Sequence, residues 1–217
     1  MLSLFKKRFY QQIEQNASLL ILNFIYVFVW GITEGKVENY GYGIIFSLIF
    51  IFAIRAIKEH NSRLYYFSAV AIVIFWLSFF FDFKYVMLAS HILSVIFFMM
   101  VVVLSVIKLA KAKVITVIEF MEAVNIYFFL GIIGSLLLTV VFTLNHQAFN
   151  TGVPLTAPTD LIYFSFVTLT SLGYGDISPV SPVARGISIF LSFSGQIYIA
   201  MIVSMLVGKY LNAKSGD

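Results

Sequence analysis

The stretch Thr168-Leu169-Thr170-Ser171-Leu172-Gly173-Tyr174-Gly175-Asp176 decides how this sequence must be read. It lies between two long apolar segments, directly after a shorter apolar run that cannot cross a bilayer. Glycines at alternate positions, Gly173 and Gly175, let the backbone take a positive φ where a Cβ would resist it. Successive carbonyls can then point to one side, which neither an α-helix nor a β-strand permits. A row of parallel C=O dipoles replaces the water around a cation. One such strand encloses nothing, so the pattern implies several copies meeting on an axis.

The surroundings of the stretch are those of a membrane protein. The 217 residues are 61% hydrophobic and only 11% charged, with a mean hydropathy of +0.98; a soluble domain carries about 25% charged residues. Cysteine is absent, which removes disulfides and thiolate metal sites. The net charge of +4 does not point to nucleic acid, because the basic residues sit at the ends of apolar runs, where topology determinants belong. No small-residue cleavage site follows the first apolar run, so the N-terminus does not read as a signal peptide.

Apolar runs long enough to span occur at residues 17–33, 40–57, 64–81, 85–107, 124–145 and 185–211. A spanning helix needs about 20 residues. The expected fold class is therefore an all-α integral membrane protein with six transmembrane helices. Residues 159–170 are enough for roughly 18 Å of helix, about half a bilayer. They read as a re-entrant helix leading into the glycine stretch between helices five and six. The expected organisation is an N-terminal cytoplasmic or interfacial segment (1–16), a four-helix domain (17–107), a cytoplasmic linker (108–123), a pore domain (124–211) and a short cytoplasmic tail (212–217). Leu2, Phe5, Phe9 and Ile13 recur at helical spacing, which fits either an interfacial helix or an extension of the first span. The linker fits either an elbow or an extension of helix five, with Val114, Val117, Ile118 and Met121 on one face.

With both termini in the cytosol, Lys6, Lys7, Arg8, Arg55, Lys58, Arg63, Lys108, Lys111, Lys113, Lys209 and Lys214 lie inside, and only Lys36, Lys84 and Arg185 outside. That asymmetry favours cytosolic termini. The fourth run, 85–107, holds no Arg or Lys and only His91 as a titratable group. A voltage sensor needs several charges that cross the field, each worth about 2.3 kcal/mol per 100 mV, so steep voltage gating is not expected. His91 reads more readily as a satisfied neutral histidine than as a proton sensor.

The glycine stretch resembles the selectivity filter of tetrameric potassium channels, and the resemblance extends over about residues 124–211. Pro179, Arg185 and Gly195 fall where that family places a filter-exit proline, an arginine opening the inner helix and a hinge glycine. Tyr163 and Phe164 fall on its aromatic cuff, and Thr168 and Thr170 on its pore-helix threonines. The resemblance implies K+ cages at Ser171, Leu172, Gly173 and Tyr174, closed by Gly175, and a homotetramer in membrane lipid. It implies no cofactor beyond the permeant ion. Phe164, Thr168, Thr170 and Asp176 would support the filter. Where the family pattern reads Thr-Val-Gly-Tyr-Gly, this chain has Ser171-Leu172-Gly173-Tyr174-Gly175, which deletes no coordinating oxygen. Val167 stands where some relatives have a glutamate, so it offers Asp176 no carboxyl partner.

In the last helix Gln196, Ile199, Val203 and Val207 are spaced 3, 4 and 4, on one face. That face either lines a cavity, with Gln196 a polar ring beneath the filter, or packs on neighbouring helices. Gly195 either hinges the helix or permits close packing. The function expected is passive potassium conduction; a weakly selective cation channel and a non-conducting membrane subunit or scaffold remain the alternatives. An enzyme is not expected, since the membrane-embedded ionisable residues form no nucleophile–base set or metal-ligand spacing. The sequence does not specify auxiliary subunits.

Overall fold

The computed structural model describes residues 2–29, 36–57, 62–81, 83–112, 115–152, 155 and 158–214. Its elements are α1 (Leu2–Phe24) continued by a π-helical turn (Ile25–Val29), α2 (Lys36–Ile57), α3 (Ser62–Phe81), α4 (Lys84–Lys111), α5 (Val117–Leu144), β1 (Phe149–Thr151), α6 (Pro158–Leu169), β2 (Ile177–Pro179) and α7 (Pro182–Lys214). The architecture is that of an all-α membrane protein. Among the described residues, five stretches are long and apolar enough to cross a membrane: Tyr40–Ile57, Leu64–Phe81, Lys84–Lys111, Val117–Leu144 and Pro182–Met205. The first of the six expected spans is not among them. Its described residues form the end of α1, which runs without a break past residue 16, and the π-helical turn that continues it. The expected end of that span at Thr33, together with Lys58, Lys113, Val114 and the last residues of the tail, 215–217, lies outside the described residues.

Residues 117–123 belong to α5, and a capping box explains why the helix starts there. The Thr116 hydroxyl accepts from the Ile118 amide (3.2 Å), and the Glu119 carboxylate accepts from the Thr116 amide (2.8 Å). The basic residues of α4 are confined to its ends, Lys84, Lys108 and Lys111. His91 is satisfied within its own helix, Nδ1 meeting the Met87 carbonyl at 2.7 Å.

The chain divides into two compact units, one of Met1–Ser68, Val101–Ile126 and Met201–Asp217, the other of Ala69–Met100 and Tyr127–Ala200. In the first, the rings of Tyr26, Tyr42, Phe46 and Phe50 pack α2 and the π turn together. A buried polar chain runs beside them. Asn23 Nδ2 donates to Asn125 Oδ1 (3.0 Å), Asn125 Nδ2 to the Asn16 carbonyl (3.2 Å) and Asn16 Nδ2 to the Gln12 carbonyl (3.0 Å). Lys108 Nζ reaches both Glu122 Oε1 (2.7 Å) and the Ala56 carbonyl (3.0 Å), joining α2, α4 and α5. The sequence pattern had placed Lys108 only as a topology determinant; its partner lies 14 residues on, at the start of the next helix.

The second unit holds the short helix α6 at its centre. Leu138, Val141, Leu161, Phe164, Leu169 and Leu191 are buried in one cluster drawn from α5, α6 and α7. In lipid there is no hydrophobic drive between helices, so close packing and hydrogen bonds must hold them. Two features supply this. A methyl group at Gly131 or Gly134 would run into Phe166, or into Ser165 and Leu191, so α5 and α6 approach where α5 has no side chains. Ser165, fully buried, donates its hydroxyl to the Gly131 carbonyl at 2.7 Å. Ser181 caps α7, its hydroxyl accepting from the Ala184 amide (3.2 Å), so the helix opens at Pro182 rather than at Arg185.

Breaking an ion pair leaves a buried charge uncompensated, and the cost falls below the full range of about 3–5 kcal/mol when one partner is partly wet. Lys108 is 29% exposed and Glu122 4%. Lys108→Met is expected to lower the stability of the detergent-solubilised protein by about 2 kcal/mol. Adding Glu122→Leu should restore most of it. Thermal melts in which the single variant equals the parent would show that the pair contributes nothing.

Candidate functional site

α6 begins with Pro158 in its first turn and Asp160 near its positive end, both favourable there. Its exit is held by a few backbone bonds. The Thr170 amide continues the helix to the Phe166 carbonyl (3.0 Å), and the Ser171 amide turns back to the Thr168 carbonyl (3.0 Å). The amides of Leu172 and Gly173 both return to the Val167 carbonyl, at 3.0 and 3.3 Å. Thr170 adds its hydroxyl to the Phe166 carbonyl at 2.8 Å. Beyond this clasp φ is positive at every second residue: Ser171 +58°, Gly173 +60°, Gly175 +83°. Glycine bears this freely; Ser171 pays about 1–2 kcal/mol for it. Among the described residues, nothing donates to the carbonyl oxygens of Ser171, Leu172, Gly173 or Tyr174. The amides are tied to the helix end while the carbonyls stay bare.

The far end of this loop is braced by contacts the sequence pattern did not reveal. Asp176, left without a carboxyl partner by Val167, accepts from the Tyr163 hydroxyl at 2.7 Å. Tyr163 also stacks on Tyr174, ring centroids 6.5 Å apart and nearly parallel. β2 follows directly and pairs antiparallel with β1, Phe149 opposite Pro179 and Thr151 opposite Ile177. The amides of Val180 and Ser181 donate to the Ala148 carbonyl (2.8 and 3.1 Å), and Arg185 Nε to the Pro179 carbonyl (3.2 Å). This short ribbon ties the segment before α6 to the loop after it. Its strands are only three residues each, too short for an alternating pattern to announce them.

The expected support residues divide. Thr168 and Thr170 take part in the clasp. Phe164 is buried against Phe149, edge to face at 5.6 Å, and so braces the ribbon. Gly195 has a packing reason: a methyl there would collide with the Leu169 carbonyl oxygen, so α7 meets the end of α6 backbone to backbone. Gln196 donates Nε2 to the Ser171 hydroxyl at 3.0 Å, and Ser192 meets the same hydroxyl at 3.0 Å. Ser192 was legible after the fact, one turn before Gln196 on the same face. Ile199, Val203 and Val207 are exposed on the single chain at 44%, 53% and 51%. Among the described residues no group of His, Cys, Asp and Glu is arranged to hold a metal ion.

A 12-residue apolar helix thus lies between two membrane-length helices and leads into a loop to whose carbonyls nothing among the described residues donates. Residues 132–211 match the family model described as "Ion channel". Over 92 residues, 42% of this chain, the sequence is 30% identical to the "Two pore potassium channel c" of Oryza sativa subsp. japonica. The chain spans a fifth of that relative's length, 20%. No solved structure matches. The family resemblance read from the sequence thus agrees with the family model and with the name of that relative.

Two predictions follow from this geometry. The hydrogen bond from Tyr163 holds the Asp176 carboxyl below its ordinary value, and the same bond to Asp176 pushes the Tyr163 hydroxyl up to about 12. A lowered carboxyl means the bond is present above its unfolded pKa and lost as pH falls through the folded one. The raised hydroxyl keeps it until pH rises through about 12. Currents from reconstituted protein should therefore be flat across the neutral range and fall only as pH drops below the ordinary carboxylate range. Tyr163→Phe should move that fall to higher pH, and an unmoved profile would count against the bond. For Gly195→Ala, overpacking against the carbonyl should cost about 2–3 kcal/mol in thermal stability. A variant that melts like the parent but gates differently would favour the hinge role instead.

Proposed function

We propose that the chain is the subunit of a potassium-selective channel in which four copies gather their 171–175 loops around one axis in a cell membrane. The observation that carries this reading is the bare row of carbonyls itself. Irregular backbone at membrane depth is tolerated only where protein or a water-filled path surrounds it. On the single chain that requirement is unmet: Leu172 is 56% and Tyr174 67% exposed, and only 11% of the apolar window of α7 is buried. Neighbouring copies would cover these side chains, and a cation would replace the water that the carbonyls lack. Each carbonyl cage would exchange for part of the hydration shell of a passing K+, and adjacent sites would keep the ion from binding too tightly to leave. Gln196, Ile199, Val203 and Val207 would line the cavity beneath, and both termini would lie in the cytosol, as the basic residues favour.

The test is ion flux from purified protein in liposomes under mixed potassium and sodium gradients. A reversal potential near that of potassium supports the reading. One midway between the two ions would make the chain a weakly selective cation channel, and no flux would make it a subunit or scaffold. Gly173→Ala, which places a Cβ at φ +60°, should abolish potassium preference while leaving the helices intact by circular dichroism.

A further inference from the structure

We infer that Gln196 and Ser192 are positioning residues for the innermost cation cage, acting by fixing which way the Ser171 hydroxyl points. This inference rests on the channel reading above and deepens it. A hydroxyl carries one hydrogen and two lone pairs, and its hydrogen is free to rotate. Only a lone pair serves a cation; a hydrogen turned the same way repels it. Threonine at this position would be stiffened at χ1 by its branch, whereas serine is not. Ser171 therefore needs its direction supplied from outside, and α7 supplies it.

The hydrogen bonds leave few choices. Gln196 Nε2 can only donate, so it occupies one Ser171 lone pair, at 3.0 Å. Ser192 Oγ lies 3.0 Å from the same oxygen and can accept the Ser171 hydrogen. With the hydrogen sent to Ser192 and one lone pair held by Gln196, a single lone pair stays free. Were Ser192 the donor, both lone pairs would be used and the Ser171 hydrogen would be left pointing elsewhere, a poor ligand for a cation. Gln196 and Ser192 stand one turn apart on one face of α7, and Gly195 beside them lets the helix come close enough for both to reach. The close approach at Gly195 and the two polar side chains are thus one device.

The test is calorimetric titration of the purified, detergent-solubilised protein with barium, a divalent ion of about the size of potassium that binds such cages without needing flux. Gln196→Leu should weaken barium binding roughly fivefold, the worth of one neutral hydrogen bond, and Ser192→Ala by a similar factor. Ser171→Ala removes the oxygen itself and should weaken binding at least as much. On that background Gln196→Leu should add nothing, a coupling that a merely structural role would not produce. Unchanged affinity in both Gln196→Leu and Ser192→Ala would overturn the inference, as would an undiminished effect of Gln196→Leu without the Ser171 hydroxyl. Ser192→Ala, the smaller change, carries the test if Gln196→Leu fails to fold. Wild-type protein that binds barium with this coupling yet passes no cation would sink the channel reading while leaving the cage assignment standing. Wild-type protein that binds none would sink both.

Discussion

Peptide carbonyls cannot be left bare in hydrocarbon, and among the described residues nothing donates to those of residues 171–174. Each unsatisfied polar group in lipid costs several kcal/mol, so a run of four is tolerable only with a substitute for water. The rest of the second unit follows from this constraint. α6 is 12 residues long, too short to span a bilayer. Its end is clasped by the Val167 carbonyl, which accepts from the amides of both Leu172 and Gly173. The ribbon of β1 and β2 and the Tyr163–Asp176 bond then keep the far end of the loop from relaxing into an ordinary turn.

Much of this was legible in the sequence, for definite reasons. Alternate glycines announce alternate positive φ, and Gly173 and Gly175 have it. Length and apolarity announce spanning helices, and α2 to α5 and α7 answer to them. What escaped were contacts between residues far apart in the chain, whose chemistry is generic. A serine after the pore helix gives no sign of seeking a serine and a glutamine on the last helix. A lysine at a helix end gives no sign that its carboxylate lies 14 residues on. The sequence shows that Ser171 retains a hydroxyl; that its φ of +58° is part of the alternation only the backbone shows. The expected first span is not among the five membrane-length stretches, and its end at Thr33 lies outside the described residues.

The first unit carries a different kind of constraint. Asn16, Asn23 and Asn125 are buried among apolar helices, where polar groups are expensive unless paired. They pair with one another and with backbone, while Lys108 and Glu122 neutralise each other nearby in sequence on α4 and α5. Such links fix which helices meet and in what register, a role that apolar side chains fill poorly in lipid because they prefer one another no more than they prefer the lipid tails.

The central claim is that the loops of several copies form one cation path, and anomalous scattering from rubidium in crystals of the assembled protein tests it most directly. The account predicts fourfold symmetry with rubidium on the axis, ringed by the carbonyls of residues 171–174. An assembly without that axis, or one that holds Gly173 and Gly175 far from the rubidium, would contradict it.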